Sequence, residues 1–143
     1  MVNLLRLALA ALGVSAVLIA ASILLLGAQA TAGMAEGAFS AMTGLGGHVP
    51  EPWPPTMDSE LRFYAALWGA YGIVLLWVAS NLGRRIDLVP WLAAVFFAGG
   101  LGRGLSLAFV GRPHPFFLFL MAIELGLPPL LLVLWLAARR PAR

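Results

Sequence analysis

The stretch LALAALGVSAVLIAASILLLGAQATAGMA, residues 7–35, contains no charged side chain. About 20 apolar residues at a rise of about 1.5 Å each cross the ~30 Å hydrocarbon core of a bilayer, so a run of this kind reads as a transmembrane helix, placed at residues 4–27. A cleaved secretory signal is the competing reading, because Arg6 precedes the run and Ala28-Gln29-Ala30 fits a small-x-small cleavage pattern. The apolar core of such signals spans only about 7–15 residues. The longer run here is therefore expected to stay attached as an anchor.

The rest of the chain extends the same reading. Of 143 residues 62% are hydrophobic and 10% charged, whereas soluble domains carry about a quarter charged residues. Three more spans follow at residues 60–80, 88–110 and 116–138, and no period-two alternation competes with them. The chain reads as one transmembrane domain over residues 1–143, all-α, an antiparallel four-helix bundle. Asn81-Leu82-Gly83-Arg84-Arg85-Ile86-Asp87 and Gly111-Arg112-Pro113-His114-Pro115 are turns too short for anything but antiparallel neighbours. Pro90 falls in the first turn of the third span, where its missing N–H costs little. Cysteine is absent, which removes disulfides and thiolate-ligated metals.

All nine basic residues are arginines placed singly or in pairs, not the dense basic face that nucleic acid requires. They act instead as orientation signals. With the termini in the cytoplasm, Arg6, Arg84, Arg85, Arg139, Arg140 and Arg143 fall on the inner side. The outer side then carries Glu36, Glu51, Asp58 and Glu60, with Arg62 and Arg112. Abundant Ala, Leu, Gly and Arg without Lys fit a GC-rich bacterial source, and the expected location is the bacterial inner membrane.

The first loop, residues 28–58, divides in two. Met34, Ala38, Met42 and Leu45 recur at helical spacing, so a short helix is expected along the outer interface, ended by Gly46 and Gly47. Pro50-Glu51-Pro52-Trp53-Pro54-Pro55 should run as polyproline with Trp53 at headgroup level. Asp58 or Ser59 is expected to cap the second span.

Arg103 lies inside the third span, where a guanidinium costs about 2.5–3.5 kcal/mol on insertion scales. Arg103 and Glu124 are each about eight residues from the 111–115 turn, hence at a similar depth of ~12 Å on neighbouring helices, and an ion pair is the natural inference. Ser106 is one turn from Arg103. Pro128 and Pro129 leave the carbonyls of Glu124 and Leu125 without their usual donors, so a kink is expected there. On the second span Glu60, Tyr64, Trp68 and Tyr71 recur down one face. With Arg62, Arg112 and His114 these residues outline a pocket open to the outer leaflet, although a pair that only fixes helix register and a plain packing face of aromatics explain the same pattern. Gly99, Gly100, Gly102 and Gly104, with Gly69 and Gly72, signal close helix contact within or between chains. His48 and His114 read as solvated loop residues, and no metal, phosphate-loop or catalytic-triad motif appears.

The segments Asp58-Ser59-Glu60-Leu61-Arg62-Phe63-Tyr64, Gly99-Gly100-Leu101-Gly102-Arg103-Gly104-Leu105-Ser106 and Gly111-Arg112-Pro113-His114-Pro115, followed by Glu124, resemble the bacterial domain-of-unknown-function family 4345. Its pattern is an E-L-R start to the second of four helices, R-x-x-S in the third, and a G-x-P-x-P hairpin before an acidic residue in the fourth. The likeness spans most of the chain and is clearest from Asp58 onward. It implies the four-span topology and draws attention to Glu60, Arg62, Arg103, Ser106, Arg112 and Glu124. It implies no substrate.

Small size, glycine-rich helix faces and missing catalytic motifs lead to a non-enzymatic membrane protein without cofactor. It reads as an accessory or structural subunit of a membrane complex, or a small oligomer, whose partners are lipids, another membrane protein or itself. The alternative is a binder or carrier of an amphiphile (a lipid, quinone or isoprenoid) near Arg103, Glu124 and Tyr71. Acid–base chemistry at Glu124 or His114 is a third reading.

Overall fold

The computed structural model describes residues 1–46 and 52–139. Helices α1 (Val2–Leu26), α2 (Ala28–Thr43), α3 (Pro55–Ser80), the one-turn α4 (Leu82–Arg85), α5 (Val89–Phe109) and α6 (Pro115–Arg139) follow in order, with a 3-10 turn at Ile86–Leu88 before α5. No strand occurs among the described residues. Among the described residues four segments are long and apolar enough to span a membrane, namely Val2–Leu26, Pro55–Ser80, Leu82–Phe109 and Pro115–Arg139. The chain is a multi-pass membrane protein. The expectations for His48, Pro50, Glu51, Arg140 and Arg143 fall outside the described residues.

Two boundaries differ from those expected. Helix α3 starts at Pro55, after Pro54 in extended backbone at φ −67° and ψ 151°, because proline needs no N–H partner in a first helical turn. Asp58 is therefore not the cap; it lies in that first turn and is used elsewhere. Helix α2 starts at Ala28 instead of Met34 and ends at Thr43, where Gly44 at a φ of 70° stops it before Gly46. The break between α1 and α2 is Gly27, at φ 93° and ψ 155°, a backbone region that is essentially glycine-only.

In lipid an exposed leucine costs nothing, so helix association depends on close backbone approach and on hydrogen bonds. The α1–α3 contact uses the first device. A Cβ on Gly72 would lie 2.9 Å from the Gly13 carbonyl oxygen and 2.9 Å from Ala16 Cβ, and one on Gly69 would lie 3.1 Å from Ala20 Cβ. Helices α5 and α6 form the second close pair, with Gly100 against Leu125 and Glu124.

The two pairs join most tightly toward the end that carries Arg6, Arg84, Arg85 and Arg139, called here the arginine end. There Leu5, Leu9, Leu75, Val78, Leu82, Val89, Leu92, Leu131 and Leu134 form one buried cluster. Hydrogen bonds cross the same region: Trp135 Nε1 donates to the Ile86 carbonyl at 2.9 Å, and the Tyr71 hydroxyl to the Leu92 carbonyl at 2.8 Å. At the opposite end, the elbow end, α2 bridges the pairs by setting Phe39 against Phe116 and Phe119. Helix α6 continues through Pro128 and Pro129.

Candidate functional site

Two charged constellations lie toward the elbow end, and they differ in whether their hydrogen-bonding capacity is already used. The first surrounds Gly27. Arg62 Nε donates to Asp58 Oδ2 at 2.7 Å, and another of its nitrogens donates to the Leu24 carbonyl at the end of α1. Asp58 Oδ1 accepts the Ala28 N–H at 3.3 Å, at the start of α2. A cation thus meets the negative end of one helix dipole and an anion the positive end of the next. The hollow lined by Leu26, Gly27, Gln29, Ala30, Asp58 and Arg62 is open, and its two charges already bond one another and the chain.

The second constellation is the ion pair. Arg103 Nε donates to Glu124 Oε2 at 2.7 Å. Arg103 sits six residues before the end of α5 and Glu124 nine after the start of α6, about 9 and 13 Å along the helix axes. Side-chain exposure divides unequally, at 37% for Arg103 and 11% for Glu124. Glu124 is held because Gly100, one turn before Arg103, lets α6 approach: a Cβ there would lie 2.8 Å from Leu125 and 3.0 Å from Glu124 Cβ. The Arg103 guanidinium carbon is 5.6 Å from the centre of the Phe117 ring, within cation–π range. Among the described residues, nothing accepts a hydrogen bond from Arg103 Nη1 or Nη2.

The aromatic line on α3 divides. Trp68 stacks on Tyr71 at 5.1 Å and on Phe96 of α5 at 5.8 Å. Tyr64, one turn nearer the elbow end, is 58% exposed and touches Phe63. Helix α5 covers this line beside Phe96 and not beside Tyr64. Gly99 and Gly102, next to Arg103 on α5, have nothing within 4 Å of an added Cβ, and Ser106, Glu60 and Arg112 are exposed.

His114 departs from the expected solvated loop residue. It is half-buried, its Nδ1 accepts the Phe116 N–H at 3.2 Å, and Nε2 lies 3.4 Å from Ser40 Oγ on α2. It therefore acts as a cap for α6 and a contact for α2. Histidine is not a habitual capping residue, so sequence offered no signal for this beyond its place before Pro115. The structure brings Arg103 to Glu124, and Trp68 to Tyr71, while Arg62 and His114 belong to separate contacts.

A family model described as "Domain of unknown function (DUF4345)" matches residues 4–136. No curated protein and no solved structure matches the chain.

Proposed function

The chain belongs to the DUF4345 family, and we propose that this member is a non-enzymatic protein of the bacterial inner membrane that holds an amphiphile at Arg103. In this reading the spans form an antiparallel bundle with both termini in the cytoplasm, α2 lies along the outer interface, and the site faces the outer leaflet. The reading rests on one observation, the two Arg103 nitrogens without an acceptor among the described residues. The Arg103 side chain is 37% exposed, and a donor left without an acceptor beside hydrocarbon is costly, so a molecule that supplies the acceptor offsets that cost. Phe117, the open faces of Gly99 and Gly102, and exposed Tyr64 and Ser106 provide room for its apolar part beside the charge.

Purification in mild detergent followed by native mass spectrometry tests this. The expected result is a discrete mass above that of the bare chain, released as an identifiable amphiphile. A bare chain under the gentlest activation argues that water alone completes the guanidinium.

A second reading, contact with another membrane protein or a second copy, is favoured by the uncovered glycines Gly99, Gly102, Gly104 and Gly126. Small residues on a lipid-facing surface let a further helix approach closely. Disulfide trapping of a Gly102→Cys variant in membranes distinguishes it, since a partner or second copy on that face produces a crosslinked band.

A further inference from the structure

We infer that the molecule held at Arg103 offers the guanidinium a neutral carbonyl oxygen and not an anionic headgroup; the inference rests on the amphiphile reading above and names its ligand class. Between residues 89 and 139 the charged side chains are Arg103, Arg112, Glu124 and Arg139. Arg103 and Glu124 already neutralise each other through a 2.7 Å contact, and Glu124 is buried, at 8% exposed, so a second anion would bind beside this carboxylate and not in its place. An anion on the Nη edge would share one cation with that carboxylate. The group would then carry a net charge of −1, and an unbalanced charge in a medium of low dielectric is costly.

A site for an anion would need a second cation, and among the described residues no other cation forms an ion pair or hydrogen bond with Arg103 or Glu124. Arg62 is bound to Asp58 and the Leu24 carbonyl, Arg85 is stacked on Trp77, and Arg139 contacts Asp87 and Trp135. Arg112 is exposed in the turn beyond Phe109, outside the helix that carries Arg103. His114 spends its ring nitrogens on Phe116 and Ser40. A carbonyl accepts hydrogen bonds from Nη1 and Nη2 and leaves the charge of the pair at zero. Ring ketones of a quinone and esters of a glyceride share this chemistry.

The experiment compares amphiphiles of equal ten-carbon chain against the full-length protein in detergent at constant salt and pH. The neutral probes are decylubiquinone and 1-decanoylglycerol; the anionic probes are decanoate and 1-decanoyl lysophosphatidic acid. Affinities are read by native mass spectrometry. At least one neutral probe should bind about tenfold or more tighter than either anion, the scale on which like-charge contact discriminates, and the tighter neutral probe distinguishes ring from ester. This preference should vanish in Arg103→Leu, and in Arg103→Leu/Glu124→Leu should the single variant fail to fold. Tighter, Arg103-dependent binding of an anion overturns the inference while leaving the amphiphile reading standing. Binding of every probe unchanged by both variants, or binding of none, overturns both.

Discussion

Asp58 and Arg62, one turn apart on α3, close the facing ends of two different helices across Gly27. Their 2.7 Å ion pair holds the anion where α2 begins and the cation where α1 ends. Gly27 is the only residue type that allows this, since its backbone lies at φ 93° and an added Cβ would stand 3.1 Å from Arg62 Nη2. Gly27→Ala should therefore destabilise the protein by about 1–3 kcal/mol, read as thermal stability in detergent. An unchanged melting temperature would show that the elbow is not held as described.

The Gly13–Gly72 contact predicts a larger and more local effect. Each glycine faces the other's carbonyl oxygen at 2.9 Å from an added Cβ, and backbone cannot yield as a flexible side chain can. Gly72→Leu should separate α1 from α3 and cost about 1–3 kcal/mol or more, whereas Gly33→Ala, at a position with nothing within 4 Å, should be close to neutral. Equal effects of the two would contradict the packing.

Orientation is testable without background labelling, because the chain has no cysteine. Arg112→Cys should react with an impermeant maleimide on intact spheroplasts, and Arg84→Cys only after permeabilisation, as the excess of arginine beside Arg84 and Arg85 requires. The reverse pattern would invert the topology.

Arg103 and Glu124 should behave as one electrostatic unit. Arg103→Leu or Glu124→Leu alone leaves an uncompensated charge and should cost about 3 kcal/mol or more, while the double change should be milder than either. The check is a double-mutant cycle on thermal stability. Single changes that simply add would mean that the two side chains do not depend on each other.

How much of this was legible in the sequence varies by element. Long apolar runs with few charges mark the four spans, since length and apolarity decide what crosses a bilayer. The Arg103–Glu124 pair was legible because both lie a similar number of residues from one short turn on neighbouring helices, and two long side chains span the remaining offset of about 4 Å along the axes. The end of the first span at residue 27 was legible as well, but the immediate restart of the chain as α2 at Ala28 was not, because the uncharged run from Leu7 to Ala35 gives no start signal there and the helical spacing becomes readable only from Met34. The start of α3 was misplaced because Asp58 resembles a cap, while its side chain is committed to Ala28 and Arg62, thirty and four residues away. The division of the Tyr64–Trp68–Tyr71 line depends on where Phe96 of α5 meets α3, an inter-helix register that no single segment encodes.

The most direct test of the central claim is the amount of co-purifying amphiphile retained by the Arg103→Leu/Glu124→Leu double variant, measured by native mass spectrometry beside the wild type after both are shown to have the same thermal stability. The site as described predicts a folded double variant from which the bound molecule is lost. Retention equal to wild type would contradict the claim, and would mean that the pair only holds α5 against α6.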